Sequence, residues 1–101
     1  MTIEAVISNV QPAAAAAGEI LGTIRVEGEK NPNNEYDRAE LTISEDTVLR
    51  SEESGASVQV GFDVLEFGQF VKARFVGPVL ESYPIQARAV EVVIIRSHPG
   101  N

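Results

Sequence analysis

Phe70, Lys72 and Arg74 recur at every second position, so on a β-strand they share one face. Arg88 stands on the next strand-like segment, with Tyr83 in the stretch between. Such a set could stack a ring and pair an anion, which is how OB-type barrels use a strand face and its adjoining loops. The plainer alternative is that Lys72, Arg74 and Arg88 pair across strands or lie solvated, each pair worth a few tenths up to about 1 kcal/mol. The charge balance favours that alternative: 15 acidic against 8 basic side chains give −7. Nucleic-acid affinity depends on Lys and Arg displacing counterions, so this balance argues against non-specific binding to nucleic acid. The charge is uneven, however. Residues 1–66 carry 13 acidic and 4 basic groups, a balance of −9, whereas residues 67–101 carry 2 acidic and 4 basic groups, a balance of +2.

Other clusters carry less chemistry. Asn31, Asn33, Glu35 and Asp37 alternate oxygen ligands as the start of a calcium loop does, but Tyr36 stands where the glycine belongs and Thr42 where the bidentate Glu belongs. The segment reads as a turn. Glu45-Asp46 and Glu52-Glu53 are sequence neighbours in polar, turn-like contexts, with nothing to desolvate a carboxyl for acid–base work. With no cysteine and a single histidine, His98, disulfides, thiolate chemistry, Cys-based zinc sites and Ser/His or Cys/His catalysis are excluded. A small hydrolase would lack a nucleophile and base. We expect no catalytic residues, no metal and no cofactor.

The elements that would position these side chains are strands, because alternation dominates over helical period. Ile3, Ala5 and Ile7 share one face of a first strand, Ile20, Gly22, Ile24 and Val26 one face of a second, and Ala39, Leu41 and Ile43 one face of a third. The turn-rich Gly28 to Asn34 implies a hairpin between the second and third. Pro12, five alanines and Gly18 read either as a short helical turn or as a flexible connection. Thr47 to Leu49 reads as a brief extended piece and Ser51 to Ser57 as a polar loop. In Asp63-Val64-Leu65-Glu66-Phe67-Gly68, Asp63 can cap a short helix, Val64, Leu65 and Phe67 can pack, and Gly68 can end it in the left-handed conformation. Strand four then runs Gln69 to Val76 with Val71, Ala73 and Phe75 inward; Phe62 and Phe67 also suit the core. Gly77-Pro78 and Tyr83-Pro84 punctuate a loop, the second a possible cis bond. The last strand, Ala87 to Ile95, is apolar on both faces, with Val90, Val92 and Ile94 on one and Ala89, Val93 and Ile95 on the other. Such a strand needs a cover on both sides.

Three strands, a short helix and two strands give the order of an all-β, five-stranded OB-type barrel, one domain over residues 1–101; an open two-sheet sandwich is the competitor. Residues 96–101 lack an apolar anchor and read as a disordered tail. The longest apolar runs, Ala13–Ala17 and Val92–Ile95, fall far short of the roughly 20 residues of a membrane-spanning helix. Met1-Thr2-Ile3-Glu4 lacks the positive start of a signal peptide. A cytoplasmic location is expected if the chain is full length, a secreted or lipid-anchored one if it derives from a trimmed export precursor.

From residue 36 onward the chain resembles the YobA-like family of uncharacterised small bacterial OB-type domains, often attached to export signals. The resemblance rests on Leu41-Thr42-Ile43 with Asp46-Thr47, on Leu65-Glu66-Phe67-Gly68-Gln69-Phe70-Val71, and above all on Gly77 to Ala87. It implies a fold and no activity. The expected function is a non-catalytic binding or interaction module for a protein or an extracytoplasmic ligand. The alternative is an OB domain for single-stranded nucleic acid or an oligosaccharide. Homodimerisation is a further expectation, because Ala89, Val93 and Ile95 need a cover, which the first strand (Ile3 and Val6) or a second copy could provide.

Overall fold

The computed structural model describes residues 1–13, 19–28, 36–80 and 85–96, without the side chains of 78–80. Seven strands lie in chain order: β1 (Thr2–Pro12), β2 (Ile20–Glu27), β3 (Arg38–Ser44), β4 (Val48–Glu53), β5 (Ala56–Gln59), β6 (Phe70–Leu80) and β7 (Ile85–Ile95). One 3₁₀ turn, Phe62–Val64, precedes β6. Five strands close a barrel in the order β3-β2-β1-β6-β7, with β7 returning parallel to β3. The alternation in the sequence explains the inside of that barrel. Ile3, Ile7, Ile24, Val26, Ala39, Leu41, Ile43, Val71, Ala73 and Phe75 are fully buried, the inward set that the period of two requires. Among the described residues no helix is long and apolar enough to cross a membrane.

Closure depends on irregularities in the ladders. β1 pairs with β6 through Thr2 to Val6 and with β2 through Val6 to Pro12, with a register shift between Ile7 and Asn9. A bulge bends a strand and increases its twist, so one long strand can serve both sides of a barrel corner. β2 shifts register between Ile20 and Gly22. There a Cβ on Gly22 would lie 2.5 Å from both the Gln11 carbonyl oxygen and the Phe62 ring. The missing side chain lets the 3₁₀ turn press Phe62 against this end of the barrel.

β7 resolves its two apolar faces by a third irregularity. Arg74 pairs with Glu91 but Phe75 pairs with Ala89, leaving Val90 as an extra residue. The expected grouping of Val90 with Val92 and Ile94 is therefore corrected: Ile85, Ala87 and Ala89 point inward before the bulge, Val92 and Ile94 after it. The buried Thr47 hydroxyl donates to the Ala89 carbonyl at 2.8 Å and accepts from the Ser44 N–H at 3.0 Å, tying the β3–β4 turn to this point.

Where Thr47 to Leu49 was expected as a brief extended piece and Ser51 to Ser57 as a polar loop, Val48–Glu53 and Ala56–Gln59 form a hairpin. Its two central residues, Ser54 (φ 51°) and Gly55 (φ 85°), both take the left-handed conformation of a tight hairpin turn. β4 runs parallel to β7 through the pairs Val48–Glu91 to Glu52–Ile95, so β7 offers the same edge first to β3 and then to β4.

The expected short helix is present as the 3₁₀ turn, entered from Gly61 with no side-chain cap. Leu65 is buried, but Phe67 is 78% exposed rather than packed. Gln69 holds this link, accepting from the Glu66 N–H and donating to the Val64 carbonyl, both at 2.9 Å. Gly68 takes φ 91° as expected and donates to the Ile7 carbonyl at 2.8 Å. β6 continues through Gly77-Pro78 to Leu80, longer than the expected strand. Arg96 is anchored, its N–H to the Glu52 carbonyl and its Nε to Ser51 Oγ. The links at 14–18 and 29–35, Tyr83-Pro84 and the tail from 97 lie outside the described residues.

Candidate interaction face

The outward side chains of β1, β6, β7 and β4 form a lattice that the registers define. Val6 stands opposite Phe70, Glu4 opposite Lys72 and Thr2 opposite Arg74. Lys72 stands opposite Val93 and Arg74 opposite Glu91. Val93 is beside Arg50, Ile95 beside Glu52 and Glu91 beside Val48. Three of the five expected site residues, Phe70, Lys72 and Arg74, thus share one face as their spacing requires.

On this face lies a groove of about 480 Å³, lined by Thr2, Arg50, Glu52, Lys72, Arg74, Glu91, Val93 and Ile95. Val93 and Ile95 are half-buried, an apolar floor between cations. The Glu91 carboxylate sits between two guanidinium groups, 3.7 Å from Arg50 Nε and 3.9 Å from Arg74 Nε. Among the described residues Lys72 makes no ion pair. Both guanidinium contacts run through Nε, so the terminal nitrogens of Arg74, whose side chain is 53% exposed, remain available to an incoming acceptor. A guanidinium can bind a carboxylate or phosphate through two parallel donors. A shallower hollow of about 320 Å³ adjoins, sharing Ile95 and bordered by Phe70. Phe70 and Val6 are 43% and 42% exposed, an apolar corner to the cationic groove.

Arg88 falls elsewhere. It stands opposite Val76, in a separate hollow of about 190 Å³ with Ser44, Asp46, Ala89 and Val90, and its guanidinium reaches Glu19 at 4.0 Å. Tyr83 lies outside the described residues. Arg50 and Glu91 join the face without having been singled out in the sequence, and Glu52, considered there only as half of an acidic pair, joins with them. The parallel pairing of β4 with β7 brings Arg50 and Glu52, a long-range register for which the local pattern holds no signal, while Glu91 comes opposite Arg74 through the β6–β7 pairing.

The outer face of β2 and β3 contrasts with it. Arg25 meets its cross-strand neighbour Glu40 at 3.0 Å, and Arg38 meets Glu27 at 3.4 Å. Those cations are already matched, and no aromatic side chain stands among Thr23, Arg25, Glu27, Arg38, Glu40 and Thr42. Of the calcium-like set, Tyr36 packs against the core with its ring 6.4 Å from that of Phe75. Among the described residues no cluster of three metal-ligating side chains occurs, and every buried side-chain polar atom has a hydrogen-bond partner.

Compared with family models, with curated proteins and with solved structures, the chain matches none.

Proposed function

We propose that the chain is a non-catalytic interaction module that engages a protein partner through the outer face of β1, β6, β7 and β4. The observation that carries this reading is the groove, where half-buried Val93 and Ile95 lie between the cations of Arg50, Lys72 and Arg74. Apolar side chains at the centre with charged groups around them are the anatomy of protein interfaces. The same β-barrel order, three strands followed by two with a parallel closure, supports assignment to the OB type. The resemblance to the YobA-like family, through Leu65 to Val71 and Gly77 to Ala87, supports the reading as well, since it implies a barrel without assigned chemistry.

The test is capture with the immobilised chain against the variant carrying Lys72→Glu and Arg74→Glu. Both side chains are exposed, so the variant is expected to fold and to lose, by about tenfold or more, a prey that the wild type retains. Equal retention by the two proteins would mean that the partner does not engage this face.

A second reading, an OB-type domain for single-stranded nucleic acid or an oligosaccharide, is favoured by Phe70 standing in line with Lys72 and Arg74. It separates from the first by salt: affinity for a single-stranded oligonucleotide falls steeply between low and physiological ionic strength, whereas a partner held by apolar contacts changes little.

A further inference from the structure

We infer that the occupant of this face is a second copy of this chain, related by a two-fold axis that passes over Val93. The inference rests on the reading of the face as a protein-interaction surface and names its partner. A two-fold contact uses the same patch twice, so the patch must complement itself. This one does: Arg50, Lys72 and Arg74 are matched in number by Glu4, Glu52 and Glu91, a balanced area on a chain whose net charge is −7. A polyanion would meet those three carboxylates. A copy of the chain meets opposite charges if the axis is placed correctly.

The registers show where it must lie. Neighbouring strands are about 4.8 Å apart and alternate residues along a strand about 6.7 Å. Arg74 lies one strand from Val93 on the β6 side and one step toward Glu91; Glu52 lies one strand away on the β4 side and one step toward Ile95. The two are diagonal opposites about Val93. A two-fold axis in the plane of contact, perpendicular to that diagonal, carries Arg74 onto Glu52 of the second copy and brings Arg50 beside Glu91 of the second copy, each pair occurring twice. The same axis places Val93 on its own symmetry mate and the Lys72 stem near Ile95 and Phe70 of the second copy. The apolar floor is covered while Arg50 and Arg74 meet Glu91 and Glu52 of the second copy in one step.

Sedimentation equilibrium with charge reversal tests this. The wild type is expected at twice 10.9 kDa at tens of micromolar. Arg74→Glu and Glu52→Arg, both at exposed positions, are each expected to weaken the dimer by about tenfold or more, since each sets like charges together twice. An equimolar mixture of the two variants is expected to restore it, because every altered pair is then complementary again. A wild type that stays monomeric at several hundred micromolar overturns the inference. If prey capture still depends on Lys72 and Arg74 in that case, the interaction face stands and only its occupant is wrong. A dimer that neither reversal weakens, or a mixture that fails to recover, overturns this face as the contact.

Discussion

Phe75→Ala is expected to remove about 3–5 kcal/mol of stability, the usual cost of emptying a fully buried aromatic site. Phe75 is 0% exposed, and its ring meets Tyr36 at a 46° tilt. Its backbone joins the chain start, the N–H donating to the Met1 carbonyl and the carbonyl accepting from the Met1 amino group, both at 2.8 Å. Those backbone bonds survive truncation, so the loss measures packing alone. Domains of this size are typically stable by about 5–15 kcal/mol, so a melting temperature lower by on the order of 20 °C is expected. Urea unfolding of both proteins measures it, and a difference below about 1 kcal/mol would contradict the placement of Phe75 at the centre of the barrel.

Gly22→Val is expected to be as damaging for the opposite reason. The new Cβ would stand 2.5 Å from the Gln11 carbonyl oxygen and 2.5 Å from the Phe62 ring, closer than van der Waals contact allows on either side. Overpacking usually costs about 1–3 kcal/mol, and a backbone atom on one side leaves less room for relief, so about 3 kcal/mol or more is expected. Phe62→Leu in the same chain should recover part of the loss by retracting the ring and leave the part due to Gln11. Full recovery would place the whole conflict at the ring, and no recovery would mean that Phe62 does not lie over β2.

The barrel strands were legible because each buries one face. Ile3, Ala5 and Ile7, or Ala39, Leu41 and Ile43, have their burial written in the period of two. The β4–β5 hairpin was not, since all four side chains of β5 are exposed and no alternation marks a strand without an inside. Its one local mark was Ser54-Gly55, a turn dipeptide whose φ angles are both positive. From Ala89 to Ile95 every residue of β7 except Glu91 is apolar, so the bulge at Val90 had no signature and the faces were assigned out of phase. Phe67 followed composition into the expected core, but the turn before β6 points it to solvent at 78% exposure. At the candidate face the spacing of Phe70, Lys72 and Arg74 was sufficient to put them together. Arg88 was not held with them, because one bulge and seven positions of β7 separate Arg88 from the end of the groove where Ile95 lies.

Sedimentation and circular dichroism of Val93→Glu test the interaction face most directly. Val93 is half-buried at the centre of the groove, while its neighbours Val92 and Ile94 point into the barrel at 0% and 1% exposure. A folded variant with the wild-type spectrum is expected, sedimenting at 10.9 kDa where the wild type sediments at twice that mass, because a carboxylate facing its symmetry mate disfavours the contact. A variant that unfolds would make Val93 part of the barrel's own core, and a folded variant that associates as the wild type does would contradict the face itself.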